Sequence, residues 1–197
     1  MFQLKKEIDK RRKLIYPYIR DKQVLDLGPG DIRYRFLHEF IAKSSKAMGL
    51  EIDEDRAKEL KKKGYNIFIG DAQNFDLKKK FDVIAAGDLI EHLTNFEGFF
   101  KSVKKNLKKE GIIILNTPNV FSLYNLIGIS RRAFEEHSCW FDERTLKQLI
   151  KRYNFRIIKI FYYTNDYGTL KGKIMQLVFK IKPKWNSNIL IIAKKIE

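Results

Sequence analysis

Cysteine, proline and long apolar runs are scarce in this sequence of 197 residues, and each shortage excludes a class of protein. The single cysteine, Cys139, cannot form an internal disulfide framework or a cysteine zinc site. The longest apolar runs, 111–115 and 189–193, are far shorter than the roughly 20 residues that span a bilayer. Residues 1–13 are charged throughout and lack the apolar core of a signal peptide. We therefore expect a cytoplasmic protein without disulfides or transmembrane segments.

Negative charge is also in short supply, above all in the second half of the chain. The 40 Lys and Arg side chains outnumber the 24 Asp and Glu, and the formal net charge is +16. Residues 1–98 hold 20 basic and 17 acidic side chains, whereas residues 99–197 hold 20 and 7. A basic half favours an anionic partner, namely a nucleic acid, a phosphorylated small molecule or an acidic membrane surface. A lysine-rich composition of the kind found in thermophiles explains the charge equally well.

What the sequence does have is a regular alternation of strand and helix patterns, interrupted by only four prolines. Nearly continuous apolar strands are predicted at 23–28, 46–53, 65–71, 81–88, 111–119, 155–163 and 188–195. Helices are predicted at 4–16, 32–43, 54–64, 95–109 and 141–153. Pro17 is expected to end the first helix and Gly64 the third.

This alternation is typical of a doubly wound α/β domain, in which helices cover both faces of a mostly parallel sheet. The last two strands are joined by a basic connector without a convincing crossover helix, so we expect them to pair antiparallel at one edge. Residues 1–20 are assigned to an N-terminal basic helix and residues 21–197 to a single domain.

The stretch VLDLGPGDIRY (24–34) places a glycine loop directly after the first predicted strand. In a doubly wound sheet, ligands bind at the carboxyl ends of the strands near this point. A phosphate-binding Walker loop is excluded, because Gly30 is followed by neither the second glycine nor the lysine that it requires. A dinucleotide is disfavoured, because Arg33 occupies the place of the third glycine and Asp31 would repel a pyrophosphate. The loop therefore favours a cofactor without phosphate groups.

S-adenosylmethionine is such a cofactor, a cation with an adenosine at one end and an amino acid at the other. Gly28 and Gly30 would allow it to approach the backbone closely. Asp26 and Asp31 would supply carboxylates for its ammonium and sulfonium groups.

Acidic residues also follow the next three strands. Glu51 stands about 20 residues beyond the glycine loop, where an acid binds ribose hydroxyls, and Ile52 is its neighbour in the expected site. Asp71 would accept a hydrogen bond from the adenine amino group, Ala72 would leave room for the ring, and Asp88 would lie under the cofactor. Any one of these acids could simply cap the helix that follows it. Acids at the ends of successive strands, in one register, instead favour a cofactor site.

In these features the sequence resembles the class I S-adenosylmethionine-dependent methyltransferases, in their type 11/23-like branch, over roughly residues 20–195. The resemblance is carried by VLDLGPG (24–30), GLEID (49–53), GDA (70–72), FDVIAAGDLIEHL (81–93), GIIILNTPNVFSL (111–123) and HSCWFDERTLKQLIKRYNF (137–155). It implies an enzyme that produces S-adenosylhomocysteine. It also implies a Rossmann-like, seven-stranded sheet whose last strand is inserted antiparallel next to the edge.

Two features depart from the family pattern. Ile32 stands where the glycine loop commonly has a third glycine, and the N-terminal helix is too short to form much of a lid. A degenerate, non-catalytic member that still binds S-adenosylmethionine is therefore an alternative.

Histidines are the candidates for catalysis, because methyl transfer to an alcohol requires a base that takes its proton. His92 follows the fourth strand, and His137 precedes the helix at 141–153 on the acceptor side. A structural histidine bonded to backbone at a helix start explains His92 equally well. His38 lies within a helix pattern, where we expect a structural role. No cluster of His, Asp and Glu is visible in the sequence, so no metal is expected.

The acceptor is predicted to be an anionic small molecule, sugar or lipid-linked compound, methylated on oxygen. This class fits the charge and the resemblance of the EHL and NTPN stretches to small-molecule O-methyltransferases and methyltransferases of glycan and lipid assembly. RNA is the alternative, because the basic half suits phosphate neutralisation. However, GDLIEHL stands where methyltransferases of base amines have Asn/Asp-Pro-Pro-aromatic. The apolar-then-basic stretch 121–134 suits either peripheral contact with an acidic membrane or a core-packing helix.

Overall fold

A computed structural model describes residues 10–30, 37–128, 137–165 and 170–196. The helices are α1 (Lys10–Ile19), α2 (Leu37–Ser44), α3 (Glu54–Lys62), α4 (Phe96–Asn106), α5 (Leu123–Leu126), α6 (Glu143–Arg152) and α7 (Leu170–Ile181). The strands are β1 (Gln23–Leu27), β2 (Lys46–Glu51), β3 (Ile67–Ile69), β4 (Phe81–Gly87), β5 (Leu107–Pro118), β6 (Phe155–Tyr163) and β7 (Asn188–Lys195). Short 3₁₀ turns follow β4 (Ile90–His92) and precede β7 (Pro183–Trp185).

The strands form one seven-stranded sheet in the order β3-β2-β1-β4-β5-β7-β6. Strands β1 to β5 pair parallel to one another, and β7 runs antiparallel to both of its neighbours, β5 and β6. Strand β6 therefore points in the same direction as β5. The predicted mixed sheet is confirmed, including the antiparallel strand inserted next to the edge.

Both faces of the sheet are covered, because alternate residues of each strand point to opposite sides. On one face, Val24 of β1 packs in a cluster that includes Ile15 and Ile19 of α1 and Ile41 of α2. The opposite face belongs to a larger cluster, whose helical members include residues of α4 and α6. The doubly wound architecture is thus confirmed, and the core lies in two layers on either side of the sheet.

The prediction that Pro17 ends the first helix is wrong, because α1 continues to Ile19. Pro17 lacks the N–H that would bond to the carbonyl of Lys13, so it weakens the last turn. Burial of apolar side chains offsets the lost hydrogen bond, since Ile15 and Ile19 pack against the sheet and are 2% and 0% exposed. The first part of the predicted helix, residues 4–9, lies outside the described residues.

The boundary between α4 and β5 also differs from the prediction of a helix over 95–109. The helix ends at Asn106, and Leu107 already belongs to β5, where it pairs with Phe81 of β4. Asn106 ends the helix with a buried side chain that donates to the carbonyl oxygens of Ser102 and Phe75. The apolar helical spacing extends through Leu107, but tertiary pairing decides its conformation.

A helix, α7, lies in the connector between β6 and β7, where none was expected. The two strands pair antiparallel nevertheless, as predicted. The reason is geometric. Antiparallel neighbours end and begin on the same side of the sheet, so the connection from β6 to β7 through α7 need not cross a face of the sheet. Among the described residues, no helix is both long and apolar enough to cross a membrane.

Candidate active site

The carboxyl ends of β1, β2, β3 and β4 meet at one edge of the sheet because these strands are parallel and in register. Asp26 is level with Gly49 of β2 and Ala85 of β4, and Glu51 is level with Ile69 of β3. Asp71 and Asp88 follow the last residues of β3 and β4. The structure therefore brings the predicted strand-end acids to a common edge, although Asp26 lies deeper than the others.

The glycine loop after β1 is shaped by two different constraints. Gly28 has a φ angle of +67°, which side chains rarely allow, and its N–H donates to the carbonyl of Leu50 at 2.9 Å. At Gly30 the constraint is space, because a Cβ atom there would lie 2.2 Å from Oε2 of Glu51. The loop thus passes directly over the end of β2. Asp31 and Ile32 lie outside the described residues.

Glu51 is held in place under this loop. Its side chain is buried, and Oε1 accepts a hydrogen bond from the backbone N–H of Asp53 at 3.0 Å. The neighbouring Ile52 is 66% exposed, an unusual position for a large apolar side chain unless a ligand covers it. Asp53 caps α3 by accepting from two backbone N–H groups, so it has a structural role. This arrangement fits an adenosine whose ribose lies at Glu51 and whose base covers Ile52.

Asp26 has a partner inside the protein. Its Oδ2 lies 2.9 Å from Nδ1 of His38, and the two residues are 3% and 1% exposed. The structural role expected for His38 agrees with this burial. The paired oxygen of Asp26 is committed to His38, and a contact of Asp26 with a cofactor stays a prediction.

Asp71 and Ala72 follow β3 in a turn that reaches the segment before α4. Asp71 is half-buried, and its Oδ1 accepts from the N–H of Gln73 at 2.8 Å. Ala72 is buried, and the side chain of Gln73 accepts from the backbone N–H of Thr94 and Asn95. The turn is therefore fixed from both sides, as a wall beside an adenine ring would need to be.

Asp88 lies just beyond β4, with a φ angle of +51°. Its Oδ1 accepts from Nδ2 of Asn116 at 2.6 Å, and its Oδ2 accepts from Nη1 of Arg11 at 2.7 Å. The N-terminal helix α1 thus reaches the predicted cofactor edge through Arg11. Sequence reasoning missed this contact, because nothing in the pattern of α1 indicates which acid Arg11 meets.

The two candidate histidines lie side by side. The rings of His92 and His137 are 4.8 Å apart between centroids and nearly perpendicular. His137 is brought there by the backbone, since the N–H groups of Ser138 and Cys139 donate to the carbonyl of Glu91 at 2.9 and 3.1 Å. The segment before α6 therefore meets the turn that follows β4.

Glu91 completes this group, and it was not singled out in the sequence. It is 1% exposed; Oε2 accepts from the hydroxyl of Thr117 at 2.9 Å, and Oε1 has no hydrogen-bond partner among the described residues. Burial, together with the charge of Asp88, raises the pKa of Glu91 to about 8. One potential ligand atom each from Glu91, His92 and His137 lies within 4.8 Å of the others. No such cluster is visible in the sequence, because His137 is distant in the chain from Glu91 and His92, and the fold brings the three together. The expectation that no metal binds stays a prediction.

A second feature of the same edge is a cavity of about 700 Å³ at the ends of β5 and β6. Its lining residues are Asn119, Phe121, Leu126, Asp142, Glu143, Arg144, Lys147, Gln148, Lys151, Tyr162, Lys184 and Trp185. Glu143 binds Lys147 and Lys184 and accepts from Tyr162. Arg144 and Lys151 are exposed and have no acidic partner among the described residues. The cavity therefore presents unneutralised positive charge.

Fold and edge together define a class of protein. A seven-stranded sheet with this strand order and an antiparallel β7, a glycine loop after β1 and an acid at the end of β2 are the features of a class I S-adenosylmethionine-dependent methyltransferase. The family model of the methyltransferase domain matches residues 3–160, and the chain belongs to this family.

Solved structures agree with this assignment. The chain is similar to a SAM dependent methyltransferase from Archaeoglobus fulgidus, with a TM-score of 0.68 and 25% identity, over 94% of this chain and 92% of that one. An S-adenosylmethionine dependent methyltransferase from Mesorhizobium loti has a TM-score of 0.68 at 12% identity, over 94% and 96% of the two chains, and shows the fold alone.

A further relative is similar to this chain over a much shorter segment. The (S)-coclaurine N-methyltransferase of Papaver somniferum is 29% identical over 62 residues, which are 32% of this chain and 18% of that enzyme. The chain thus spans far less than two thirds of this relative. Taken together, the comparisons show an enzyme that uses S-adenosylmethionine to transfer a methyl group.

Proposed function

We propose that this methyltransferase methylates an oxygen atom of an anionic acceptor, which is a small molecule, a sugar or a lipid-linked compound. The observation that carries the proposal is the basic cavity at the ends of β5 and β6, on the same edge of the sheet as the predicted cofactor site. A phosphate or carboxylate group of the acceptor would meet Arg144 and Lys151 there. Phe121 and Trp185 would pack against its apolar or sugar part.

Cofactor binding is assigned to the loop after β1 and to the acids of the neighbouring strands. Gly28 and Gly30 bring the backbone close to the cofactor, Glu51 accepts from the ribose hydroxyls, and Ile52 covers one face of the adenine. Asp71 and Ala72 border its other side. Asp26, Asp31 and Asp88 remain assigned to the methionine end, where Asp88 also holds Arg11.

The reaction needs few groups from the protein. When bound, S-adenosylmethionine supplies an activated methyl group on a cationic sulfur. The chain must hold the acceptor oxygen within about 3–3.5 Å of that carbon and in line with the bond that breaks. His92 follows β4, and His137 lines a small pocket with Phe141, which pairs with Asn119 of the basic cavity. Either histidine would accept the proton of an acceptor hydroxyl.

An exposed apolar surface borders the same cavity and suits a lipid-linked acceptor. Leu126 and Ile127 at α5 and Ile174 and Leu177 on α7 are each more than half exposed, and Lys180 is exposed beside them. Apolar side chains next to positive charge favour an acidic membrane surface. We therefore propose a cytoplasmic enzyme that contacts such a surface peripherally.

The membrane contact is tested with vesicles. The protein should float with vesicles of phosphatidylglycerol but not with those of phosphatidylcholine, and Leu177→Asp should weaken the binding. Because Leu177 is 62% exposed, this change should leave the folded structure intact. Equal flotation with both lipids, or none with either, would contradict this part of the proposal.

The acceptor class is tested by incubation with radiolabelled S-adenosylmethionine and fractionated cell extract. We expect the label in anionic small molecules or glycan lipids, in a linkage with the stability of an ether or ester. Label in RNA would support the alternative that the basic charge favours. Label on nitrogen would agree with the similarity to the N-methyltransferase of Papaver somniferum. Either result would contradict the proposed oxygen acceptor.

The role of the cavity is tested once an acceptor is known. The double variant Arg144→Ala/Lys151→Ala should raise KM for an anionic acceptor about tenfold or more and change KM for the cofactor little. Lys61→Ala is the matched control, since Lys61 is an exposed cation on α3. An unchanged KM in the double variant would place the acceptor elsewhere.

A further inference from the structure

We propose that Glu91, His92 and His137 bind a divalent transition metal ion, of which zinc is the representative, and that the coordination position they leave open receives the acceptor oxygen. The metal site depends only on the geometry of the described residues. Its part in catalysis rests on the proposed function.

Three potential ligands converge here from two separate segments. The 3₁₀ turn after β4 supplies Glu91 and His92, and the backbone bonds of Ser138 and Cys139 to Glu91 carry His137 to the same place. The ligand atoms lie within 4.8 Å of one another. Around a tetrahedral ion with bonds of about 2.0–2.2 Å, ligand atoms lie about 3.3–3.6 Å apart. A small rotation of the exposed His92 ring would close this difference.

Glu91 provides an independent observation. Its side chain is 1% exposed, and Oε1 has no hydrogen-bond partner in the described part of the chain. A buried carboxylate oxygen without a partner is costly, and a cation would satisfy it. Thr117 donates to the other oxygen, Oε2, at 2.9 Å and so fixes the orientation of the carboxylate. This is the outer-shell support that metal-binding carboxylates have.

The set of donors indicates the type of ion. Two imidazoles and one carboxylate suit zinc or ferrous iron, whereas magnesium and calcium prefer sites made of oxygen atoms alone. Structural zinc sites have four protein ligands, and catalytic ones have three with a position left for water or substrate. Three ligands among the described residues therefore indicate a site of the catalytic type.

The position of the cluster agrees with such a role. Glu91, Thr117 and His137 line a small pocket together with Trp140 and Phe141. Phe141 in turn pairs with Asn119, which lines the basic cavity. The metal would thus lie between the acids at the ends of β1, β2 and β4 and the cavity proposed for the acceptor.

The chemistry supplied by the ion is acidification of the acceptor. A hydroxyl bound to the metal loses its proton to solvent more readily, because the cation stabilises the alkoxide. The alkoxide oxygen then forms a bond to the methyl carbon while the carbon–sulfur bond breaks, and the electron pair of that bond stays on sulfur. In this arrangement the ion replaces the histidine base of the proposed function, and His92 and His137 hold the ion in position.

The metal site is tested without cofactor or acceptor. Full-length protein is stripped with a chelator and titrated with Co²⁺, whose visible absorption reports tetrahedral coordination, and with Zn²⁺ against a chromogenic chelator. We expect one ion per chain. Glu91→Gln and His137→Ala should each weaken binding about tenfold or more, and Thr117→Val should weaken it less, through the orientation of Glu91. Glu97→Gln is the matched control, because Glu97 is exposed in the first turn of α4.

Circular dichroism verifies that each variant is folded. The site is overturned if the folded wild-type protein binds neither ion, or if His92→Ala/His137→Ala binds them as tightly as wild type. The catalytic role is overturned if stripped and metal-loaded protein methylate the same acceptor at the same rate. Absence of oxygen methylation in both samples would contradict the proposed acceptor and the catalytic role, whereas a bound ion would still support the site.

Discussion

At the scale of single residues, the absence of a side chain at Gly30 lets the loop after β1 pass over Glu51, in the proposed cofactor site. Gly30→Ala would place Cβ 2.2 Å from Oε2 of Glu51, so either the loop or the carboxylate must move. We expect the affinity for S-adenosylmethionine, measured by titration calorimetry, to fall at least tenfold, or about 1.4 kcal/mol. Gly64→Ala is the control, since Gly64 lies just beyond the end of α3 and nothing lies within 4 Å of a Cβ atom there.

The Gly64 variant should lose stability without losing affinity. Gly64 has a φ angle of +87°, and alanine there costs about 1 kcal/mol of folding free energy. If both glycine variants bound the cofactor equally well, the contact between the loop and Glu51 would not matter for binding.

The second prediction at this scale concerns the effect of the Glu51 carboxylate on cofactor affinity. Glu51→Gln should weaken S-adenosylmethionine about tenfold, because a charge-assisted hydrogen bond to a ribose hydroxyl becomes a neutral one. Glu54→Gln removes an exposed carboxylate three positions along the chain and should change nothing. Unchanged calorimetric affinity in both variants would mean that the ribose lies elsewhere.

Asp26 is expected to contribute to stability in addition to its proposed contact with the cofactor. Asp26→Ala removes the partner of the buried His38, and losing such a hydrogen bond costs about 1–3 kcal/mol in the free energy of unfolding. Urea denaturation measures this loss, with Asp55→Ala on the exposed surface of α3 as the control. Unchanged stability in Asp26→Ala would show that the pair with His38 does not stabilise the fold, whatever the effect on cofactor binding.

For single residues, the sequence predicted where the acidic side chains lie better than it predicted which residues they contact. Acids at strand ends are visible because a strand pattern and its end are local features. The pairs Arg11–Asp88 and Thr117–Glu91 join segments far apart in the chain, and no local pattern encodes them. Glu91 was overlooked because its partner Thr117 is not visible from local sequence and because a lone acid after a strand is a weak signal. Its position next to His92 was the one indication of a role.

At the scale of elements, Glu143 connects α6, β6 and the 3₁₀ turn before β7. Hydrogen bonds from Lys147, Lys184 and Tyr162 lower the pKa of Glu143 to about 2. Since its pKa is lower in the folded than in the unfolded protein, the ionised side chain stabilises the fold above about pH 4.5. This contribution is lost as the pH falls toward 2.

The prediction is a pH-dependent difference between wild type and Glu143→Gln. At pH 6 the variant should be less stable by about 1 kcal/mol, after allowance for solvent screening. Urea denaturation at a series of pH values should show the difference shrinking below about pH 4.5. A difference that stayed constant down to pH 3 would show that the charge of Glu143 contributes nothing.

The elements also show where sequence patterns suffice. β6 and β7 have the predicted bounds, 155–163 and 188–195, because turns and polar residues flank their apolar runs. Leu107 was assigned to a helix on its spacing, but pairing with Phe81 places it in a strand. Helix α7 was missed because its basic and apolar residues were attributed to a connector. Local preference failed wherever a distant partner determined the structure.

At the scale of the whole molecule, the net charge of +16 works against compactness. Screening should relieve this repulsion, so Tm should rise by about 2–4 °C, or about 1 kcal/mol, between about 20 mM and about 200 mM NaCl. Calorimetric scans near pH 9.8, the isoelectric point, are the control, because the repulsion vanishes there. An equal salt effect at both pH values would exclude charge repulsion as its cause.

Strand β7 follows β6 in the chain but lies between β5 and β6 in the sheet. On the ribosome, β6 can therefore find no neighbour to bond with until residues 188–195 have emerged. Strands β1 to β5 are free of this delay. We therefore expect the nascent chain to form the half with the proposed cofactor site first and the half with the proposed acceptor cavity later. Pulsed hydrogen exchange on stalled chains would reveal this order as protection of Leu25 and Ile84 before Ile157.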